Sequence, residues 1–175
     1  MFPDGLAEAI TERKSFCGKL NIPQKDFPDW NQLVPYFDQS FLNGNRRARD
    51  PHKVFVAVKR RDFPIVDKVS VHLAKIINSI NISCHCYAGF SPNAIASPVH
   101  RDGMEVLFVM IQGSMPWKIY ENGYNDNIKQ GKSTFSRRLV QGDFVYVPTG
   151  IYHVALPDSS RVGFSFGWGE RPEKS

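Results

Sequence analysis

The 175-residue sequence is poor in cysteine and has no long apolar run. Its three cysteines, Cys17, Cys84 and Cys86, are odd in number, so they supply no disulfide framework and fit a reducing compartment. No hydrophobic stretch approaches the roughly 20 residues that a membrane-spanning helix needs. The opening Met1-Phe2-Pro3-Asp4-Gly5 has neither the basic start nor the apolar stretch of a secretory signal. Internal repeats, low-complexity tracts and evident linkers are also missing. These absences predict a soluble, cytoplasmic chain forming one domain over residues 1–175, large enough for a single substantial core.

Acidic residues are outnumbered, 17 against 22 Lys and Arg, for a net charge of +5. The excess is clustered at Arg46, Arg47 and Arg49, at Lys59, Arg60 and Arg61, and at Arg137 and Arg138. Such clusters attract acidic partners, but they also serve as plain solvated surface. The aromatic residues fall in apolar β patterns, where a base-stacking surface reads the same as core. Nucleic-acid binding therefore rests on the basic clusters alone, and a small-molecule or peptide substrate is the expected partner. Oligomeric state has no signature in the sequence.

What is abundant is turn chemistry. Thirteen glycines, twelve prolines and thirteen phenylalanines suit a turn-rich β fold. Residues 1–81 read as helix and loop. Asp29 with Gln32 forms a capping pair, and Trp30, Leu33, Phe37 and Phe41 share a helical face, with Pro35 interrupting. Val54–Val58 reads as a strand. Pro64 suits a first helical turn, with Ile65, Val69, Leu73, Ile76, Ile77 and Ile80 at helical spacing. From residue 82 to 168 the texture becomes short strands: Ile82–Ala88, Val106–Gln112, Trp117–Glu121, Thr134–Val140, Phe144–Val147, Tyr152–Leu156 and Val162–Trp168. Turns of Gly, Asn and Pro separate them, as in a sandwich or barrel.

Two segments carry chemistry. His100-Arg101-Asp102 is an H-x-D motif, and on extended backbone its two outer side chains point the same way. Gly142-Asp143…Pro148-Thr149-Gly150-Ile151-Tyr152-His153 brackets an apolar strand with turns and delivers a second imidazole. Two imidazoles and one carboxylate are the facial set that binds non-haem Fe(II) while leaving coordination positions open. His100, Asp102 and His153 are accordingly the candidate metal ligands and catalytic residues. His52, His72 and His85 stand alone and read as ordinary core or surface residues. His85 lies between Cys84 and Cys86, but strand alternation turns it away from both, which argues against a soft-metal site there.

The run Ser97-Pro98-Val99-His100-Arg101-Asp102, then Val106 to Gln112, Gly113 and Trp117, then Gly-Asp…Pro…His, resembles the JmjC-type branch of the cupin superfamily over residues 82 to 168. The resemblance implies a mainly β, double-stranded β-helix (cupin or jelly-roll) with the N-terminal helices packed on one sheet. It also implies an Fe(II)- and 2-oxoglutarate-dependent dioxygenase, acting as a hydroxylase or demethylase. Asp102 replaces the second His of an ordinary cupin, Glu105 is not at the usual glutamate offset, and Pro157 stands where cupins often place Asn. A ligand carboxylate at Asp102 argues against halogenation, which requires a small residue there.

In such oxygenases the far carboxylate of 2-oxoglutarate meets a hydroxyl and a cation. Ser97, three residues before the first His, matches the hydroxyl. The cation commonly lies two residues after the Gly of Gly113-x-x-x-Trp117, and here that residue is Met115. Arg161, on the strand following His153, is the expected substitute, with bidentate geometry for a carboxylate; Lys118 points to the opposite face. Met115 keeps two alternatives open: a cupin metalloenzyme that does not use 2-oxoglutarate (a dioxygenase or isomerase), and a non-catalytic ligand-binding cupin.

Overall fold

Alternating side chains make the C-terminal half antiparallel sheet, and the helices cover one face of it. The computed structural model describes residues 1–42, 53–92, 94, 96–125 and 130–169, with side chains 40–42 left out; the Arg46, Arg47 and Arg49 cluster and His52 lie outside them. The order is α1 (Leu6–Glu12), β1 (Phe16–Lys19), a 3-10 turn (Gln24–Asp26), α2 (Trp30–Leu42), β2 (Lys53–Ala57), α3 (Pro64–Ile77), β3 (Ser83–Gly89), β4 (Glu105–Tyr120), β5 (Phe135–Val140), β6 (Asp143–Val147), β7 (Tyr152–Ala155) and β8 (Arg161–Trp168). No described helix is long and apolar enough to cross a membrane.

The expected caps form. The Gln32 N–H donates to Asp29 Oδ1 at 3.0 Å, and the Asp29 N–H donates to Gln32 Oε1 at 3.1 Å, closing the reciprocal box that starts α2. Pro35 is accommodated inside α2, and Pro64 occupies the first turn of α3. The α3 stripe ends earlier than its periodicity predicts. Asn78 turns left-handed (φ 51°) and caps the helix, and Ile80 is left 87% exposed. Sequence analysis also missed α1 and β1. Both are short, and β1 exists by pairing with β6, more than 120 residues later in the chain.

The major sheet runs β1-β6-β4-β8-β3-β2, and β5 and β7 flank the second half of β4 in a minor sheet. Two separate strands, Val106–Gln112 and Trp117–Glu121, were expected where one continuous β4 is found. Its first half pairs with β6 and β8 and its second half with β5 and β7, so one strand belongs to both sheets. The transfer follows a register shift between Met110 and Gln112, at Gly113 (φ +77°). A Cβ on Gly113 would lie 2.3 Å from the Ser160 carbonyl oxygen, so both conformation and close approach demand glycine. Gly113→Ala is expected to destabilise the protein by roughly 2–5 kcal/mol, combining a left-handed penalty of about 1–2 with overpacking of about 1–3. A lowered urea midpoint at unchanged slope measures it.

Alternation along the shared strand divides the interior in two. On the outer face of the major sheet, Leu107, Val109, Ile111, Phe164 and Phe166 pack with Leu33 and Phe37 of α2 and Ile65, Val69 and Leu73 of α3. Between the sheets lie Phe108, Met110, Met115, Trp117, Ile119, Leu139, Val145 and Val147. The fold is therefore the mainly β, helix-backed arrangement expected, with the sheet open rather than closed. Cys84 and Cys86 are buried on the helix-covered side, where loss of hydration pushes both thiols well above their ordinary range. His85 faces the other way and stacks on Phe55, 5.0 Å between centroids, so the three residues share no site.

Candidate metal centre and its cavity

His100 and His153 come from segments that the backbone itself ties together. The His100 N–H donates to the His153 carbonyl at 3.0 Å, and the His153 N–H returns the bond at 2.8 Å. The Gly150 N–H, in the Pro-Thr-Gly turn, donates to the Asp102 carbonyl at 2.9 Å. Three backbone bonds thus hold the H-x-D segment against the turn that delivers the second imidazole.

The ligand-capable atoms of His100, Asp102 and His153 lie within 4.8 Å of one another. His153 Nε2 is 3.4 Å from one Asp102 carboxylate oxygen, and His100 Nε2 is 3.9 Å from the other. Each imidazole has its Nδ1 against a carbonyl, Pro98 at 2.8 Å for His100 and Ile151 at 3.0 Å for His153. A carbonyl only accepts, so each Nδ1 carries the hydrogen and each Nε2 turns its lone pair toward Asp102. Carbonyl-anchored imidazoles of this kind are the usual support of metal-binding histidines. Burial pushes the Asp102 carboxyl up, but the protonated forms of the imidazoles outweigh it, His153 then donating from Nε2 and both rings carrying charge, so the carboxyl is held below its ordinary value. The carboxylate is therefore ionised at neutral pH, as ligation requires.

Exposure gives the cluster a direction. The His153 side chain is 3% exposed and stacks on Trp117 at 5.7 Å with 10° between planes, whereas Asp102 is 35% and His100 39% exposed. One side of the cluster is thus fixed in the core and the other opens into a cavity of about 420 Å³. Ser97, Met115, Trp117, Arg161 and Ser165 share its walls with Lys53, Phe55 and Tyr87.

Arg161 is not a solvent-facing residue at a strand start. It is 6% exposed, and its guanidinium donates to the carbonyls of Ser159 (3.1 Å), Ser91 (3.4 Å) and Ala94. None of these partners is a carboxylate. The loss of hydration lowers its pKa, and Asp158 opposes the shift. The guanidinium fits because Gly89 stands opposite: a Cβ there would lie 2.6 Å from an Arg161 terminal nitrogen. Met115, at the position where the resemblance places a cation, is buried in the same cavity. Ser97, an exposed residue, also lines it, and Lys118 does not. Glu105 plays a separate part, buried on the opposite face of β4, where it accepts from Tyr146 Oη at 2.7 Å and the Thr149 hydroxyl at 3.2 Å.

Sequence reasoning missed Lys53, Phe55, Tyr87 and the indole of Trp117 as cavity residues. Trp117 Nε1 is buried and has no hydrogen-bond partner among the described residues. Nothing local marks Phe55, because β2 reaches the cavity through its pairing with β3.

Comparison with known proteins agrees with this architecture. The family profile of the JmjC domain matches residues 63–174, more than half of the chain. No curated protein matches the sequence. Among solved structures, the ribosomal oxygenase YcfD from Escherichia coli, in complex with cobalt and succinic acid, is similar with a TM-score of 0.65 at 12% identity, over 99% of this chain and 54% of that one. The same enzyme in complex with cobalt and 2-oxoglutarate gives 0.65 at 11% identity, over 99% and 54%. A prolyl-4-hydroxylase from Pseudomonas putida gives 0.64 at 12% identity, over 95% and 98%. The chain thus spans about half the length of YcfD and nearly all of the prolyl hydroxylase.

Proposed function

Because the chain belongs to the JmjC domain family and its cavity joins a His–Asp–His cluster to a buried arginine, we propose that it is an Fe(II)- and 2-oxoglutarate-dependent oxygenase that hydroxylates or demethylates its substrate. The observation that carries this reading is the tautomeric order of the cluster. Two Nε2 lone pairs and an ionised carboxylate converge from a fixed wall toward an open cavity, a donor set that suits a divalent iron with free coordination positions. His100, Asp102 and His153 would hold the metal, which when bound supplies the activation of O2 coupled to oxidation of 2-oxoglutarate.

The remaining cavity residues position and exclude. Arg161 is the anchor for the far carboxylate: it is already dehydrated, and a bidentate anion gives it the countercharge that its carbonyl partners lack. Trp117, stacked on His153, holds that imidazole in its plane, and an oxygen-bearing molecule in the cavity gives its unpartnered N–H an acceptor. Phe108 and Met115 keep the inner wall dry, which strengthens every charge interaction there. The structures of YcfD with cobalt and 2-oxoglutarate, and with cobalt and succinic acid, support the choice of cosubstrate.

A second reading has one observation in its favour. Buried Met115 cannot bind a carboxylate, which suits a metalloenzyme that does not use 2-oxoglutarate. The two separate in one experiment. Protein reconstituted with Fe(II) under anaerobic conditions is expected to develop a weak visible absorption band on adding 2-oxoglutarate, and to release succinate slowly once O2 is admitted. Protein shown to contain iron that gives neither band nor succinate would favour the second reading.

A further inference from the structure

We infer that the inner face of the β2–β3 ribbon, beside the metal cavity, is a binding surface for single-stranded nucleic acid. Presentation of a base to the metal rests on the oxygenase reading above; the binding itself does not.

The face is laid out by register. Lys53, Phe55 and Ala57 of β2 stand opposite Gly89, Tyr87 and His85 of β3. Phe55 stacks on His85 and lies 4.8 Å from the Tyr87 ring, and Tyr87 is 48% exposed. Lys53, Phe55 and Tyr87 line the metal cavity. Ala57 and His85, the next pair along the ribbon, line an adjoining depression together with Lys59, Arg60 and Arg61. The five residues of β2 span on the order of 13 Å, so aromatic rings lie between a cation at the metal cavity and three cations beyond the strand's end.

The charges here differ from those of the other described basic cluster. Arg138 is committed to Asp158, and Arg137 lies 3.7 Å from Asp143. At the end of β2, Arg60 pairs with Asp67 at 2.7 Å, but the side chains of Lys59 and Arg61 are exposed and meet no carboxylate among the described residues. Unpaired cations gain most from a chain of phosphates, and flat rings accept any base through its π-face. An acidic peptide would satisfy the cations but bring no flat group to stack on the half-exposed Tyr87 ring. A duplex would hold its bases in its own stack, away from Tyr87.

The test uses the full-length protein without iron, titrated against a dye-labelled oligouridylate of about ten nucleotides and followed by fluorescence anisotropy. An RNA duplex of equal length and a glutamate-rich peptide of equal charge are the comparisons. The single strand is expected to bind most tightly, and more weakly as salt rises. Tyr87→Ala is expected to lower that affinity about tenfold while Tyr87→Phe retains it. The double variant Lys59→Glu, Arg61→Glu should flatten the salt dependence. Equal binding of duplex or peptide, or unchanged affinity in a folded Tyr87→Ala protein, overturns the proposal. Because neither iron nor turnover enters, failure here leaves the succinate experiment to judge the oxygenase reading by itself.

Discussion

His153→Ala is expected to abolish stoichiometric iron binding and all 2-oxoglutarate turnover. The imidazole contributes a lone pair that its Nδ1 contact with Ile151 aims at Asp102, and it is the most buried of the three candidate ligands. Removing it leaves His100 and Asp102, and two ligands on the exposed side rarely retain a labile divalent ion against water. His100→Ala should behave alike, while Asp102→Ala should eliminate activity with residual weak binding. In the parent protein, iron affinity should fall as pH is lowered, because imidazole must be neutral and the carboxylate ionised to ligate. Elemental analysis of anaerobically loaded, desalted protein measures the effect, with circular dichroism confirming the fold. Full iron occupancy in His153→Ala would overturn the assigned cluster.

The second large effect belongs to the cosubstrate. Arg161→Ala is expected to weaken 2-oxoglutarate binding by more than tenfold and to leave iron affinity nearly unchanged. Removing one partner of a dehydrated, hydrogen-bonded charge pair costs on the order of 2–5 kcal/mol. Arg161 also donates to the carbonyls of Ser91 and Ala94, so its loss loosens the segment leading to Ser97 and His100. Gly89→Ala provides the control. Its new Cβ would fall 2.6 Å from the Arg161 guanidinium, shifting the charge while leaving the side chain present. It too should weaken 2-oxoglutarate and spare iron. Ser97→Ala should cost about 1 kcal/mol, the value of a single hydroxyl contact. Calorimetric titration with Mn(II) in place of iron separates the two affinities. Parent-like 2-oxoglutarate binding by Arg161→Ala would remove Arg161 as the anchor.

The parts of this protein that the sequence by itself determined are those set by neighbours along the chain. H-x-D on extended backbone sends His100 and Asp102 the same way, and the Pro148-Thr149-Gly150 turn delivers His153, so the three could be matched from spacing. The Asp29–Gln32 box is local in the same sense; Gly113, where the pattern predicts a break between strands, instead marks a transfer of one continuous strand between sheets. Tertiary structure decided what depends on which strand lies beside which. Arg161 reads in sequence as a charged residue opening a strand; it is buried because β8 runs between β3 and β4, with Gly89 opposite to make room. Phe55 and Tyr87 follow the same alternating pattern as core residues. Only the open span of the β2–β3 ribbon leaves them beside the metal cavity instead of inside the protein. Alternation assigns a side chain to one of two faces, but whether that face meets water, a second sheet or a cavity is fixed by pairing partners tens of residues away.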